Sequence, residues 1–187
     1  LRAKMQLGVI TKNAKAFPEA IAAFDEVIKL NANYGPVYRE LAETYYFWST
    51  NAGDKAKREE YIKKAVDFSA KYKSLTDNSI ESRMRHADFL ILAKDYQALQ
   101  LEAEEMQKLD KVNPRILRYL GYASYENKKY DESIKALNDF IAKADAKRVT
   151  GRDYLFLSKA KLAKAISPEG TIADKAMFDN AMADLKK

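Results

Sequence analysis

Apolar side chains recur at helical spacing through most of this sequence, and short polar segments interrupt them. Ala, Leu, Lys and Glu are abundant, whereas Gly and Pro number only 6 and 4, so few residues break a helix. The pattern predicts ten helices, over residues 1–14, 17–31, 35–50, 54–72, 79–93, 95–110, 114–127, 130–145, 151–165 and 171–187. Polar segments at residues 51–54, 74–79 and 167–170 predict loops.

A pair formed by Leu and a small residue recurs inside the first helix of successive helix pairs. The pairs are Leu7–Gly8, Leu41–Ala42, Leu120–Gly121 and Leu157–Ser158, with His86–Ala87 as a variant. Successive small residues are 34, 45, 34 and 37 positions apart. In three of the repeats an aromatic side chain follows nine positions after the small residue, at Phe17, Tyr96 and Tyr130. We expect the small residues to lie where the two helices of a pair touch, because a larger side chain would push the axes apart.

This spacing resembles that of the tetratricopeptide repeat (TPR) family, whose 34-residue unit is a helix–turn–helix. The resemblance implies an all-α fold, a right-handed α-solenoid of antiparallel helix pairs, in which neighbouring repeats stack because none buries its apolar stripe alone. It predicts a single array over residues 1–187. Its repeats are expected at about 1–34, 35–72, 80–113, 114–147 and 151–187, the last one truncated.

Two of the five repeats depart from the family pattern. Lys55 and Arg58 occupy the positions of the aromatic and small residues in the second repeat, and the third repeat has His86 and Leu99 at a Leu and a small position. We therefore expect irregular packing around these two repeats. Asn113 is expected to cap the helix that begins the fourth repeat.

The ends of the chain predict a fragment of a longer protein. Residue 1 is Leu and not Met, and the chain stops in mid-helix at Lys187. The sequence contains no run of about 18 apolar residues, so it predicts no transmembrane segment. The compartment stays open, although a likeness to divergent bacterial repeat proteins, many of them exported, favours the bacterial periplasm or cell envelope.

The resemblance also implies a concave groove lined by the first helix of each repeat. The groove positions that we single out are Arg39, Tyr46, Arg115, Arg118, Tyr122, Tyr125 and Arg152. Arg118, Tyr122 and Tyr125 fall on one face of one helix, and Arg with Tyr suits an acidic or extended peptide. The alternative interpretation is that the two tyrosines pack against neighbouring helices.

Composition narrows the function further. The chain lacks Cys, which excludes thiolate metal sites, and its only histidine, His86, takes a core position. The glycines do not cluster into a phosphate-binding loop. We therefore predict no catalytic activity, no metal and no cofactor.

The predicted function is a scaffold that binds a peptide or protein partner in its groove, with self-association possible. The net charge of +6 keeps one alternative open, a helical repeat that binds nucleic acid without sequence specificity. The positive charges are interleaved with acidic ones, which is typical of a solvated helix face. Specific reading of a base sequence is not expected, since the equivalent positions vary between repeats.

Overall fold

A computed structural model describes residues 1–77 and 79–187. The helices are α1 (Arg2–Asn13), α2 (Phe17–Leu30), α3 (Gly35–Asn51), α4 (Lys55–Ser74), α5 (Ile80–Ala93), α6 (Tyr96–Leu109), α7 (Pro114–Glu126), α8 (Tyr130–Lys143), α9 (Gly151–Ala165) and α10 (Lys175–Asp184). The predicted loop at 74–79 includes Asn78, which lies outside the described residues. The all-α fold class is confirmed, and α1 to α9 begin and end within two residues of the prediction.

The chain forms two compact units, Leu1–Lys94 and Asp95–Lys187, which we call the N-terminal and C-terminal units. The boundary between them falls inside the predicted third repeat, between its two helices. The single array over residues 1–187 therefore stays a prediction, and each unit is described by itself.

In the N-terminal unit, α1 packs against α2 at the small residue of the first repeat. A Cβ atom at Gly8 would lie 2.4 Å from the Phe24 ring, and Phe24 is fully buried. Phe17 opens α2 and stacks on Trp48 of α3 with ring centroids 5.9 Å apart. The predicted role of the small residue is thus confirmed in this repeat.

The pair α3–α4, which lacks the family's small and aromatic residues on its second helix, is held by stacked aromatic rings. Trp48 stacks on Tyr61 at 4.2 Å, and Tyr45 stacks on Phe68 at 5.5 Å, each ring pair joining α3 to α4. Ring stacking adds about 0.5–1.5 kcal/mol per pair beyond the apolar area that it buries. These rings add to the packing of α3 against α4, in which the small residues Ala42 and Ala65 are also buried.

The sole histidine is part of the packing between α4 and α5. His86 is buried, and its Nδ1 lies 2.8 Å from the Ser69 hydroxyl oxygen. This agrees with the predicted core position, because the hydrogen bond satisfies a ring nitrogen that burial removes from water.

In the C-terminal unit, α7 packs against α8 at Gly121. A Cβ atom there would lie 2.5 Å from Cγ of the fully buried Leu137. The Ser133 hydroxyl donates a 2.8 Å hydrogen bond to the Gly121 carbonyl oxygen, which a larger residue at position 133 would block. Asn113 caps α7 as predicted, its side chain accepting from the Arg115 backbone N–H.

The prediction for the last helix, 171–187, was wrong at both ends: α10 begins four residues later, at Lys175, and ends three residues earlier, at Asp184. An isolated antiparallel bridge joins Ile166 to Ile172, and Gly170 turns the chain with φ +83°. Asp174 then caps α10 by accepting a hydrogen bond from the Met177 N–H. The bridge and the cap use residues that the helical pattern had assigned to the first turn of the helix.

Candidate functional site

A buried carboxylate at the start of α9, that of Asp153, binds side chains that reach it from α7. Asp153 has no exposed surface, and Arg118 reaches it from α7. The Arg118 Nε donates to one carboxylate oxygen at 2.8 Å, and its Nη2 donates to the other at 3.0 Å. Two parallel bonds of this kind form the strongest common pairing between a guanidinium and a carboxylate.

The other hydrogen bonds that the Asp153 carboxylate accepts come from uncharged donors. The Thr150 backbone N–H and hydroxyl donate at 2.7 and 2.8 Å. The backbone bond is one half of the capping box of α9, and the Thr150 side chain completes the box by accepting from the Asp153 N–H. The Tyr122 hydroxyl donates at 2.7 Å. Burial, and then this bond to a carboxylate, raise the pKa of Tyr122 well above its ordinary value. Arg118 and Tyr122 therefore join α7 to α9.

Arg152, next to Asp153, is exposed and lies over aromatic rings. Its guanidinium is 5.3 Å from the Tyr122 ring centroid and 5.7 Å from that of Phe156. Tyr122 and Phe156 stack with centroids 4.2 Å apart, and Tyr125 meets Phe156 edge-on at 5.4 Å. A cation over rings held in this way gains about 0.5–1 kcal/mol and has a restricted orientation.

Further exposed side chains continue this surface along α9. Leu155 is 39% exposed and Lys159 is exposed, and both follow Arg152 at helical spacing on the same face. We call this region the α7/α9 surface. It consists of Arg118, Tyr125, Arg152, Leu155 and Lys159.

A cavity of about 530 Å³ opens beside the first turn of α7. Its lining residues are Asn113, Pro114, Arg115, Arg118, Phe140, Ala144, Asp145 and Arg148. We call it the arginine cavity. The Arg118 guanidinium lies 4.5 Å from the Phe140 ring centroid, and that of Arg115 lies 5.7 Å from the Tyr119 centroid.

The N-terminal unit contains the two other predicted groove residues, in different surroundings. Lys12 is buried and donates to Glu40 at 2.5 Å and to Glu43 at 2.9 Å, while Arg39 donates to Glu40 at 2.8 Å. Burial alone would lower the pKa of Lys12, but these bonds outweigh it and raise the pKa. Burial would likewise raise the pKa of Glu40, and its two cationic partners lower it instead. The charges of Lys12 and Arg39 are therefore compensated by the two glutamates.

Arg39 and Tyr46 also line a smaller cavity of about 260 Å³. Its walls combine charges of both signs with apolar side chains. They are formed by Arg39, Ala42, Glu43, Tyr46, Ser69, Tyr72, Arg85, Asp88, Phe89 and Leu92. The other five predicted residues lie in the C-terminal unit, where Arg118, Tyr122, Tyr125 and Arg152 share one network and Arg115 lines the arginine cavity.

Residues outside the predicted set complete the site. Asp153 binds two predicted residues, and Arg148 lines the arginine cavity. The spacing Thr150–x–x–Asp153 is that of a capping box and could have indicated the position of Asp153. Nothing in the sequence pattern indicated Arg148, because it lies in a short 3-10 turn, Ala146–Arg148, between α8 and α9.

Neither a metal cluster nor a membrane span emerges from residues 1–77 and 79–187. They contain no group of three or more His, Cys, Asp or Glu side chains that could hold a metal ion. No helix among them combines the length and the apolar character that crossing a bilayer requires.

Comparison with known proteins identifies the fold. No protein-family model and no curated protein matches the sequence. The crystal structure of MamA protein is 19% identical over 99% of this chain and 87% of that chain, with a TM-score of 0.72. YrrB, described as a TPR protein with an unusual peptide-binding site, is 12% identical over 98% and 86%, with a TM-score of 0.68. The chain has the TPR fold.

TTC0263, described as a thermophilic TPR protein in Thermus thermophilus, is similar as well. It is 14% identical over 86% of this chain and 80% of that chain, with a TM-score of 0.57. The TPR fold accounts for the small residues at Gly8 and Gly121, since paired helices of this fold touch at such positions. At these identities the likeness concerns the fold alone.

Proposed function

We propose that this chain is a protein-interaction module whose α7/α9 surface binds an acidic, extended segment of a partner protein. One observation carries the proposal: the exposed Arg152 guanidinium held over the Tyr122 and Phe156 rings. Arg and aromatic side chains dominate the energetics of protein interfaces, because they combine apolar contact with directed hydrogen bonds. A cation whose orientation is already restricted loses less entropy when it binds a carboxylate.

The charge of the surface supports an acidic partner. Arg152 and Lys159 are exposed on one face of α9, with the apolar Leu155 between them. In the N-terminal unit, by contrast, Lys12 and Arg39 are bound by glutamates. A segment that alternates carboxylates with apolar side chains complements the exposed cations and Leu155 of α9, but not the already paired Lys12 and Arg39.

The similar structures support the functional class. YrrB is described as having a peptide-binding site, and that property belongs to YrrB. A TPR fold together with a basic, aromatic surface favours binding over catalysis in this chain, and the absence of enzymatic activity stays a prediction.

The test is selection of random short peptides on the purified chain, followed by affinity measurements on the peptides selected. We expect Asp and Glu to be enriched, with apolar residues between them. The double substitution Arg152→Glu and Lys159→Glu should weaken binding at least about tenfold, since it places like charges opposite each other. Lys135→Glu, a charge reversal at an exposed position of α8, is the matched control and should change affinity little.

Two outcomes would refute the proposal. One is selection of neutral or basic peptides whose affinity the double substitution leaves unchanged. The other is an RNA oligonucleotide that binds more tightly than any peptide, with an affinity that falls steeply as salt is added. The latter result would favour the non-specific nucleic-acid-binding alternative.

A further inference from the structure

Arg118 presents a prearranged hydrogen-bond donor to the arginine cavity. Its Nε and Nη2 are bound to Asp153, and Nη2 also donates to the Arg148 carbonyl oxygen. The Phe140 ring lies 4.5 Å below the guanidinium. These contacts fix the side chain and leave the Nη1 amino group for a further acceptor. An acceptor that binds there does not have to immobilise a flexible arginine, an entropy loss that would otherwise reduce its affinity.

The lining of the cavity favours an anion. Three of its eight lining residues are arginines and only one, Asp145, is acidic. The Asp145 carboxylate caps the 3-10 turn by accepting a 2.9 Å bond from the Lys147 N–H. Arg148 is exposed at the rim.

The first turn of α7 adds little to anion binding through its backbone. Pro114 has no N–H to donate. The Arg115 N–H is already bound to the Asn113 side chain at 3.1 Å. Recognition in this cavity therefore depends on guanidinium groups, which bind the two oxygens of an oxyanion in one plane.

We propose that the arginine cavity receives the carboxylate of an Asp or Glu side chain of the bound segment, between Arg118 Nη1 and Arg148. The inference rests on the proposed function and names a subsite for it. One carboxylate suits the charge of this site, because Asp153 already pairs with Arg118 and the exposed Arg148 adds a cation at the same cavity. The volume of about 530 Å³ accommodates an acidic side chain together with its flanking backbone.

The position of the cavity predicts a spacing in the partner. The cavity lies beside Arg115, and the apolar part of the α7/α9 surface lies beside Tyr125, ten residues along α7. Ten residues of helix extend about 15 Å, and an extended peptide covers that distance in about five residues. The partner segment should thus have an acidic residue and, about five positions away, a large apolar one.

The test compares labelled peptides with this spacing on the full chain. One peptide carries Glu at the acidic position, a second Gln and a third phosphoserine, and the variant is Arg148→Gln. This substitution keeps the backbone carbonyl that Arg118 uses, so the fold should be retained, which circular dichroism checks. We expect the Glu peptide to bind about tenfold more tightly than the Gln peptide, and Arg148→Gln to reduce that ratio several-fold. Lys135→Gln, on the exposed face of α8, should leave the ratio unchanged.

The outcomes separate the two proposals. An equal preference for Glu over Gln in wild type and Arg148→Gln overturns the cavity assignment but leaves peptide binding by the α7/α9 surface intact. Absence of binding by all three peptides, together with failure of the peptide selection, overturns both. A phosphoserine peptide that binds more than tenfold more tightly than the Glu peptide, with loss of that gain in Arg148→Gln, overturns the carboxylate in favour of a phosphate.

Discussion

Replacing Gly121 by Ala should destabilise the C-terminal unit, even though Ala is the better helix former. The added Cβ would lie 2.5 Å from Leu137 Cγ and 2.6 Å from its Cδ2. Leu137 is fully buried, so its branch point cannot move aside without displacing neighbours. Overpacking of this kind costs about 1–3 kcal/mol, while removing Gly from a helix returns about 0.5–1 kcal/mol. The middle of each range, about 2 and about 0.75 kcal/mol, leaves an expected net loss of about 1 kcal/mol.

The same substitution at Gly151 is the matched control. A Cβ there would meet nothing within 4 Å, and Gly151 also belongs to a helix of the C-terminal unit. Gly151→Ala should leave stability unchanged or raise it by up to about 1 kcal/mol through the unfolded state. Gly8→Ala repeats the test in the N-terminal unit, where the Cβ would lie 2.4 Å from Phe24 Cε1.

The assay is urea and thermal unfolding followed by far-ultraviolet circular dichroism. For a chain of this size about 1 kcal/mol corresponds to about 2–4 °C in Tm, so Gly121→Ala should unfold at a temperature about 2–4 °C lower. A Gly121→Ala protein as stable as Gly151→Ala would refute the reasoning. It would mean that α7 and α8 can separate without cost, and that close helix approach does not explain the small residue.

Two further predictions concern the buried charges. Asp153→Asn should lower stability by about 2–3 kcal/mol, because it leaves the partly buried Arg118 guanidinium without its carboxylate. Adding Arg118→Gln to this variant should restore part of the lost stability. Equal stability of the single and double variants in thermal unfolding would contradict this prediction. Because folding lowers the pKa of Glu40, this residue stabilises the folded chain above pH 4.5, its ordinary pKa, and the stabilisation is lost as pH falls through the folded-state pKa. Because folding raises the pKa of Lys12, this residue stabilises the folded chain below pH 10.5, and the stabilisation is lost as pH rises further. Unfolding followed by fluorescence of Trp48 should show this acid loss, and the same acid profile in Glu40→Gln would show that Glu40 is not its source.

Local patterns predicted most of the fold because helix formation depends on neighbours in the chain. The positions of α1 to α9 follow from apolar spacing, from few helix breakers and from caps such as Asn113. Gly8 and Gly121 were also predictable, since a small residue at a repeated position implies close approach of two adjacent helices. The start of α10 was not predictable in this way, because the bridge between Ile166 and Ile172 competes with the first turn of the helix.

The proposed binding surface shows which features depend on the sequence alone and which depend on the tertiary structure. The sequence by itself determined that Arg118, Tyr122 and Tyr125 share one face of α7, which is a property of helical spacing. Only the tertiary structure decided that this face meets Asp153, 35 positions after Arg118 in the chain. A buried carboxylate needs hydrogen-bond donors, so Arg118 and Tyr122 are bound to Asp153. The exposed cation of this surface is therefore Arg152 and not Arg118. A pairing between residues this far apart in the chain cannot be predicted from a local sequence pattern. It becomes favourable only when α7 and α9 pack together and exclude water.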